Sequence, residues 1–329
     1  MLETAYQPRH HSRTETVPLR TLRYHVRRWG ADQAAPGTAP LVLVHGWMDV
    51  AASYQFVVDA FSDTFLKGRS IIAPDWRGFG HTTLPSPCDH YVFADYLADL
   101  DRLLDHYAPG QPVDLVGHSM GGNIAMMYAG VRPARVRRLV NLEGFGLPAT
   151  RPEQAPKRLA QWLDELRGLD SGAYDLKDYD SADGVAQRLM KTNPRLPADK
   201  ARWLAQHWAE PNAQGRWRIL GDPAHKITSA QLYRLEEALA TYAAITAPVL
   251  AIEASDDSLG LWWKGKYTLD EYHQRLRHVP QCEVAVVQDA GHMLHHDQPA
   301  AVAAHIERFV TGTPGAAPRA APGAVAMDH

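Results

Sequence analysis

Short apolar runs alternate with amphipathic segments along most of the chain. Eight runs are short, rich in β-branched or other apolar residues and bounded by turn residues, a pattern typical of β-strands. They span residues 16–22, 24–29, 41–44, 70–73, 113–116, 138–142, 249–252 and 283–287. The first two resemble an opening antiparallel pair, and the later runs, apolar on both faces, are typical of a parallel sheet covered by helices.

Helical patterns lie between the predicted strands. Residues 91–107 and 298–310 each place their apolar side chains on one stripe. This alternation favours an α/β fold with one doubly wound, mostly parallel sheet. The alternation stops between residues 147 and 247, where several amphipathic helices but no clear strand occur. The pattern therefore predicts an all-helical insertion, or cap, after the sixth strand.

These patterns divide the chain into four parts. We predict an N-terminal extension over residues 1–15, a core built from residues 16–146 and 248–311, and a helical cap over residues 147–247. Trp162 and Trp203 of the cap are interpreted as packing residues or as walls of an apolar pocket. Residues 312–329, rich in alanine, proline and glycine, are predicted to be a disordered tail.

Composition and charge narrow the classes of partner. The 329 residues carry a formal net charge of −3, so general electrostatics favour neither nucleic acid nor an anionic membrane surface. We expect a small-molecule substrate, and no pattern indicates an oligomeric state. We also expect a cytoplasmic protein, because the first 20 residues lack the apolar segment of a signal peptide and no later run has 18 apolar residues.

The strongest chemical motif follows the fifth predicted strand. Residues 117–121 read Gly-His-Ser-Met-Gly and lead into a helical pattern, which is the G-x-S-x-G motif in a strand–turn–helix context. Gly117 and Gly121 are expected where the neighbouring backbone passes too close for a Cβ, and His118 lies within the turn. The motif predicts that Ser119 is a nucleophile at the carboxyl edge of the sheet.

A second motif follows the third predicted strand, where His45 and Gly46 precede Trp47. A loop at this position can supply backbone donors to the oxyanion of an acyl-transfer reaction. We predict that the backbone N–H groups of Trp47 and Met120 form this oxyanion hole. His45 is interpreted as a residue that shapes the loop rather than one that transfers protons.

His292 follows the last predicted strand and is the predicted general base. A loop at the carboxyl end of a parallel strand can reach Ser119 despite the long separation in sequence. His295 and His296 lie at i+3 and i+4 from His292, a spacing that could also hold a metal ion. Without a second cluster of ligands in the sequence, no metal and no other cofactor is predicted.

The general base needs a carboxylate that orients its ring, and three candidates follow predicted strands. Asp257 is the first choice because it lies in the loop after the 249–252 strand. Asp256, its neighbour, and Glu143, after the 138–142 strand, remain alternatives. All three satisfy the chain order of serine, acid and histidine.

Together these residues resemble the α/β-hydrolase family over residues 17–310. The resemblance rests on residues 45–47, 75–80 and 117–121, on the acid loop, and on Gly291 and His292. It implies an eight-stranded sheet of the α/β-hydrolase fold with a cap like those of esterases, epoxide hydrolases, haloalkane dehalogenases and carbon–carbon bond hydrolases. The acid loop departs from the family pattern, because Ala254 stands where a glycine is usual.

The nucleophile distinguishes branches of this family. Epoxide hydrolases and dehalogenases that resemble this chain carry aspartate at the turn, whereas Ser119 is suited to acyl transfer. We therefore predict a serine hydrolase, a carboxylesterase, that cleaves an ester of a small, largely apolar substrate. A carbon–carbon bond hydrolase, a thioesterase or a cofactor-free perhydrolase could use the same residues. A small-molecule receptor without turnover is the alternative outside enzymes.

Overall fold

An eight-stranded, mostly parallel sheet forms the centre of the computed structural model, which describes residues 5–312. The strands in chain order are β1 (Arg13–Leu19), β2 (Leu22–Gly30), β3 (Leu41–Val44), β4 (Ser70–Pro74), β5 (Val113–His118), β6 (Val136–Leu142), β7 (Asp178–Tyr179), β8 (Ala209–Pro211), β9 (Trp217–Ile219), β10 (Val249–Ala254) and β11 (Cys282–Val287). The large sheet has the order β1-β2-β4-β3-β5-β6-β10-β11. Only the pairings of β2 with β1 and β4 are antiparallel, which confirms the predicted fold class.

Twelve α-helices accompany the strands in the described part of the chain. They are α1 (Gln55–Ala60), α2 (Asp63–Leu66), α3 (Phe93–Tyr107), α4 (Met120–Val131), α5 (Ala155–Asp170), α6 (Ala182–Thr192), α7 (Ala198–Trp208), α8 (Leu235–Ala243), α9 (Ser258–Trp263), α10 (Leu269–Leu276), α11 (Leu294–Asp297) and α12 (Pro299–Thr311). Helices α3 and α4 cover one face of the sheet, and α1 and α12 cover the other. All four residues of β3 are buried because both faces are covered.

The amphipathic stripes read from the sequence face this core. Leu100 and Leu103 of α3, and Ile306 of α12, are buried against the sheet. Burying a side chain of this size stabilises the fold by about 1.5–3 kcal/mol. The pairing of a helical stripe with an apolar strand therefore accounts for the layered architecture.

The chain between β6 and β10 contains α5 to α8 and also a small antiparallel sheet with the order β7-β9-β8. The expectation of an all-helical insertion was therefore wrong in this respect. Strands of two or three residues are too short to produce a visible alternation of polar and apolar positions. Helices α6 and α7 bury apolar side chains against Val50, Ala52 and Phe56 of the core.

Helix α8 packs on α4 of the core rather than on the rest of the insertion. A Cβ on Gly130 of α4 would lie 2.1 Å from the carbonyl oxygen of Thr241, so the two helices are in close contact. Tyr242 of α8 is buried in the same cluster as residues of α3 and α4. Helix α8, which falls inside the predicted segment 147–247, therefore packs on the core.

The two predicted terminal segments differ in how much of them is described. In the N-terminal one, the backbone N–H of His10 donates to Asp59 at 2.8 Å, and β1 begins at Arg13, within the predicted extension. The predicted tail lies outside the described residues apart from residue 312. Among the described residues, no helix is both long enough and apolar enough to span a bilayer.

Candidate active site

Ser119 stands between the end of β5 and the first residue of α4. Its backbone angles are φ 51° and ψ −115°, which residues with a side chain rarely adopt. The N–H of Ser119 donates to the carbonyl of Leu142 at 2.8 Å, and its own carbonyl accepts the N–H of Asn123 at 2.9 Å. The arrangement is the strand–turn–helix that the motif predicts, held in a strained conformation by its neighbours.

The glycines on either side of Ser119 permit this turn. A Cβ on Gly117 would lie 2.4 Å from the carbonyl oxygen of Gly121, and a Cβ on Gly121 would lie 2.3 Å from that of Val44. Both distances are far below van der Waals contact. Only glycine at these two positions lets β5, α4 and the end of β3 approach each other, as the sequence pattern predicts.

His292 lies between β11 and α11, and three neighbours hold its imidazole and backbone. Nδ1 of His292 is 3.2 Å from Oε2 of Glu143. The carbonyl of His292 accepts a hydrogen bond from Nε2 of His118 at 2.8 Å. The ring of Trp262 meets the His292 ring edge-to-face, with centroids 4.3 Å apart. Nε2 of His292 is the ring nitrogen that these contacts leave available.

Glu143 directly follows β6 and is almost completely buried. Its backbone has φ 55°, another conformation that is rare outside glycine. Its Oε1 accepts the backbone N–H of Ala254, at the end of β10, at 2.7 Å. One carboxylate oxygen is therefore fixed to the neighbouring strand while the other faces His292.

Of the three candidate carboxylates, the structure places Glu143 in contact with His292. Asp257 is instead the N-cap of α9, where its Oδ1 accepts the N–H of Gly260 at 2.8 Å. Asp256 pairs with Arg195 of the insertion at 2.8 Å. The loop after β10 turns at once into a helix, so its acidic side chains cap that helix or reach the insertion, and Glu143 takes the place beside His292.

Burial sets the protonation of the histidine–carboxylate pair. It lowers the pKa of His292 to about 4, which keeps the imidazole neutral and able to accept a proton at pH 7. Burial also raises the pKa of Glu143 to about 7, although the hydrogen bond from Ala254 opposes this rise. Both shifts disfavour charge in a site from which water is largely excluded.

The loop after β3 passes directly beside Ser119. A Cβ on Gly46 would lie 2.9 Å from Nδ1 of His118 and 3.1 Å from Cβ of Ser119. His45 is buried; its Nδ1 contacts the carbonyl of Gly46 at 2.8 Å, and its Nε2 accepts the N–H of Trp76 at 2.9 Å. His45 therefore shapes the loop, in agreement with the interpretation from sequence.

The two backbone N–H groups expected to bind an oxyanion are those of Trp47 and Met120. Trp47 stands in the loop after β3, and Met120 is the first residue of α4, where an N–H has no partner within the helix. Within residues 5–312 neither N–H donates to a protein acceptor. The indole N–H of Trp47 donates to the carbonyl of His225 at 3.1 Å and so connects this loop to the insertion.

Trp262, one of several tryptophans that the sequence leaves as packing residues or pocket walls, contacts His292 from the short helix α9. One feature of this region was missed from the sequence. Asp49, His118 and His295 converge in the interior, with ligand atoms within 4.8 Å of one another, and could hold a metal ion. The sequence pattern indicates His295 only as a possible metal ligand together with His292 and His296, and no short spacing in the chain relates His295 to Asp49.

The structure shows which rings Trp162 and Trp203 contact. The Trp203 ring packs against Tyr6 and Phe56, with centroid distances of 5.4 and 5.7 Å. It therefore joins α7 to the core and the N-terminal segment. Trp162 lies beside His90, with ring centroids 6.0 Å apart.

A serine on a strained turn at the carboxyl edge of an eight-stranded sheet, beside a buried histidine–carboxylate pair, defines a class of α/β proteins equipped for nucleophilic chemistry. The family model described as the alpha/beta hydrolase fold matches residues 39–299. The chain therefore belongs to the α/β-hydrolase family.

Individual relatives extend over most of the chain. A cis-3-alkyl-4-alkyloxetan-2-one decarboxylase of Shewanella oneidensis is 27% identical over 83% of this chain and 82% of its own length. A serine hydrolase-like protein of Danio rerio is 25% identical, over 89% of this chain and 86% of its own length. Among solved structures, a thioesterase domain from the curacin biosynthetic pathway superposes with a TM-score of 0.75 at 23% identity, covering 90% of this chain and 99% of the domain.

Proposed function

We propose that this protein is a serine hydrolase that cleaves a carboxylic ester through an acyl-enzyme. The observation that carries the proposal is the strained turn of Ser119 combined with the contact between His292 and Glu143 on neighbouring loops. Membership of the α/β-hydrolase family and similarity to a serine hydrolase-like protein support a hydrolase.

The proposed reaction needs only side chains and backbone of this chain. Oγ of Ser119 attacks the ester carbonyl while Nε2 of His292 takes its proton. The backbone N–H groups of Trp47 and Met120 stabilise the oxyanion of the tetrahedral intermediate. The intermediate collapses, and the imidazolium returns the proton to the leaving alcohol. Water then attacks the acyl-enzyme with the same assistance from His292 and releases the carboxylic acid and free Ser119.

Glu143 has a positioning role in this mechanism. Its contact with Nδ1 of His292 selects the tautomer that has a free lone pair on Nε2, and its carboxylate stabilises the imidazolium that forms during the attack. Burial raises the pKa of Glu143 to about 7, and the imidazolium that forms during the attack favours its ionised form.

An apolar substrate is supported by the side chains at the same edge of the sheet. Trp47 and Trp262 are 51% and 45% exposed, although both are large and apolar. Leu147, in the loop after β6, and Leu261, in helix α9 after β10, are also exposed. Exposed apolar groups concentrated around a polar reactive centre are typical of a ligand-binding mouth.

Labelling with a fluorophosphonate and turnover of p-nitrophenyl esters test the proposal together. The wild-type protein should incorporate one label per chain at Ser119 and hydrolyse the esters. Ser119→Ala should abolish labelling and lower kcat by several orders of magnitude, as removal of the nucleophile does in related mechanisms. Exposed Ser86 offers a matched control, since Ser86→Ala should retain both activities. Labelling that persists in Ser119→Ala would exclude Ser119 as the nucleophile.

The same assay separates the alternatives named from the sequence. A receptor would take up the label without turning over any ester. A carbon–carbon bond hydrolase, thioesterase or perhydrolase would turn over its own substrate class with a kcat/KM above that for any ester in the panel. A panel containing all four substrate classes therefore tests the choice of ester.

A further inference from the structure

Asp49, His118 and His295 meet in the interior beneath the turn of Ser119. Asp49 ends the loop after β3, His118 is the last residue of β5, and His295 lies in α11. All three are at most 3% exposed. Their potential ligand atoms lie within 4.8 Å of one another, and Nε2 of His295 is 3.8 Å from Oδ2 of Asp49.

Four polar atoms of this cluster lack hydrogen-bond partners. Oδ2 of Asp49, Nδ1 of His118 and both ring nitrogens of His295 are buried without one. Nε2 of His118 contacts the carbonyl of His292 at 2.8 Å and must carry the proton, so Nδ1 of a neutral ring bears a lone pair. Buried polar groups are normally paired, and several such atoms at one point require a shared partner.

The donor set determines what that partner is. Two imidazole nitrogens and a carboxylate oxygen face each other inside the protein. Imidazole and carboxylate are both ligands of divalent metal ions, so this arrangement attracts a cation.

The second polar atoms of Asp49 and His118 are held as they are around bound metals. Oδ1 of Asp49 accepts the N–H of Val50 and the indole N–H of Trp208, each at 2.9 Å, and the hydroxyl of Ser53. Nε2 of His118 donates to a backbone carbonyl. Metal-binding histidines typically donate their second ring N–H to a carbonyl or carboxylate, and metal-binding carboxylates are themselves hydrogen-bonded.

We propose that Asp49, His118 and His295 bind a late first-row divalent transition metal ion, for which Zn²⁺ is the natural probe. Two imidazoles and one carboxylate are an established donor set for zinc, with a water molecule in the fourth position. Ligand atoms around tetrahedral zinc stand about 3.3 Å apart, so the cluster, whose ligand atoms lie within 4.8 Å of one another, must contract when the ion binds.

The ion would connect the three segments that carry the oxyanion loop, Ser119 and His292. Asp49 follows Trp47 by two residues, His118 precedes Ser119, and His295 follows His292 by three. Binding therefore stabilises the folded state, because the unfolded chain does not hold these ligands together. This inference is independent of the proposed reaction, since none of its tests measures turnover.

Zinc binding to the full chain after chelator treatment provides the test. Equilibrium dialysis against ZnCl₂ should yield one tightly bound ion per chain, and saturating zinc should raise the Tm. Anomalous diffraction at the zinc edge should place the ion between Asp49, His118 and His295. His295→Phe keeps a buried ring but removes both nitrogens, and it should weaken zinc binding by about 100-fold or more.

His296→Phe is the matched control, because His296 is also buried with an unpaired Nε2 but is not one of the three ligands. It should retain the wild-type affinity. The proposal is overturned if zinc binds only to surface histidines, if the cluster holds only water, or if His295→Phe binds as tightly as the wild type. Should His295→Phe fail to fold, the anomalous peak of the wild-type protein still decides the question.

Discussion

Ser119 and Glu143 both hold backbone conformations that are rare for residues with a side chain. Their φ angles are 51° and 55°, and they follow the neighbouring strands β5 and β6. Such strain costs about 1–3 kcal/mol per residue and persists only where the surroundings impose it. The N–H of Ser119 is anchored to Leu142 and the side chain of Glu143 to Ala254, so two adjacent strained turns direct their side chains toward one site.

Replacing Glu143 tests whether it is the positioning carboxylate. Glu143→Gln keeps the size of the side chain but can no longer stabilise the imidazolium or select the tautomer of His292. We expect kcat for ester hydrolysis to fall by about 10²–10⁴-fold with little change in KM. Steady-state kinetics with p-nitrophenyl esters measure both constants, and circular dichroism checks that the fold is retained.

Asp257→Asn and Asp256→Asn are the matched controls. The Asp257 carboxylate caps α9 and the Asp256 carboxylate pairs with Arg195, so these variants should keep kcat within a few-fold of the wild type. A loss in Asp257→Asn as large as that in Glu143→Gln would contradict the assignment and return the role to the loop after β10.

At the scale of elements, the insertion is tied to the loops that carry the site. Three polar pairs connect it to the oxyanion loop, to the loop after β10 and to the end of α11. These pairs are Trp208–Asp49 at 2.9 Å, Arg195–Asp256 at 2.8 Å and Asn193–Asp297 at 2.7 Å. A change in the position of α6 and α7 is therefore transmitted to the edge of the sheet where Ser119 lies.

Apolar contacts bring the insertion against the oxyanion loop. A Cβ on Gly221 would lie 3.2 Å from Cε of Met48 and 3.6 Å from Cδ1 of Leu176, so these two side chains converge at Gly221, and Met48 directly follows Trp47 in the chain. We predict that Leu176→Ala enlarges the acyl pocket and shifts the relative kcat/KM among ester chain lengths by about 1–3 kcal/mol. A chain-length series from acetyl to decanoyl p-nitrophenyl esters measures the shift.

Trp203→Ala serves as the control for this prediction. Its ring packs on Tyr6 and Phe56 rather than beside Trp47, so the variant should lose stability but keep the wild-type order of chain-length preference. Identical profiles for Leu176→Ala and the wild type would show that this part of the insertion does not line the pocket.

At the scale of the whole molecule, partly buried histidines join the insertion to the core. His225 is sandwiched between Phe79 and Tyr91, with ring centroids 3.8 and 3.7 Å away, and its pKa is lowered by burial to about 3. Burial and the charge of Arg27 lower the pKa of His207 to about 4. Asp75, His25 and His81 are the other titratable groups that act on His207.

These two shifts predict that stability falls on acidification. Both folded-state pKa values lie below the ordinary histidine value of 6.5, so the unfolded chain binds more protons than the native protein below that pH. Stability is therefore complete above about pH 6.5 and decreases toward pH 4, by at most about 1.4 kcal/mol per pH unit for each histidine. Urea unfolding at several pH values between 7 and 4.5 measures this slope.

A pair of variants isolates the contribution of one histidine. His207→Gln should reduce the slope of unfolding free energy against pH by up to one proton. Exposed His278 should contribute little, so His278→Gln should leave the slope unchanged. Equal slopes for His207→Gln and the wild type would mean that His207 is protonated in the native state.

From the sequence, the eight strands, the layered α/β fold and the strand–turn–helix around Ser119 could be predicted, because each depends on residues close together in the chain. Apolar periodicity reports which face of a strand or helix is buried, and the glycines at 117 and 121 report a close approach of backbone. The short strands β7 to β9 could not be predicted, because segments of two or three residues show no periodicity. The packing of α8 on the core could not be predicted either.

Only the tertiary structure shows which residues far apart in the sequence are in contact. Asp257, Asp256 and Glu143 all follow strands, and sequence order does not show which of them contacts His292. The partner of His292 depends on β6 lying beside β10, with Glu143 anchored to Ala254 across that pair. Likewise, Asp49, His118 and His295 come from three separate segments, and no spacing relates them. Local patterns record burial and turns, whereas convergence of side chains requires the packed sheet.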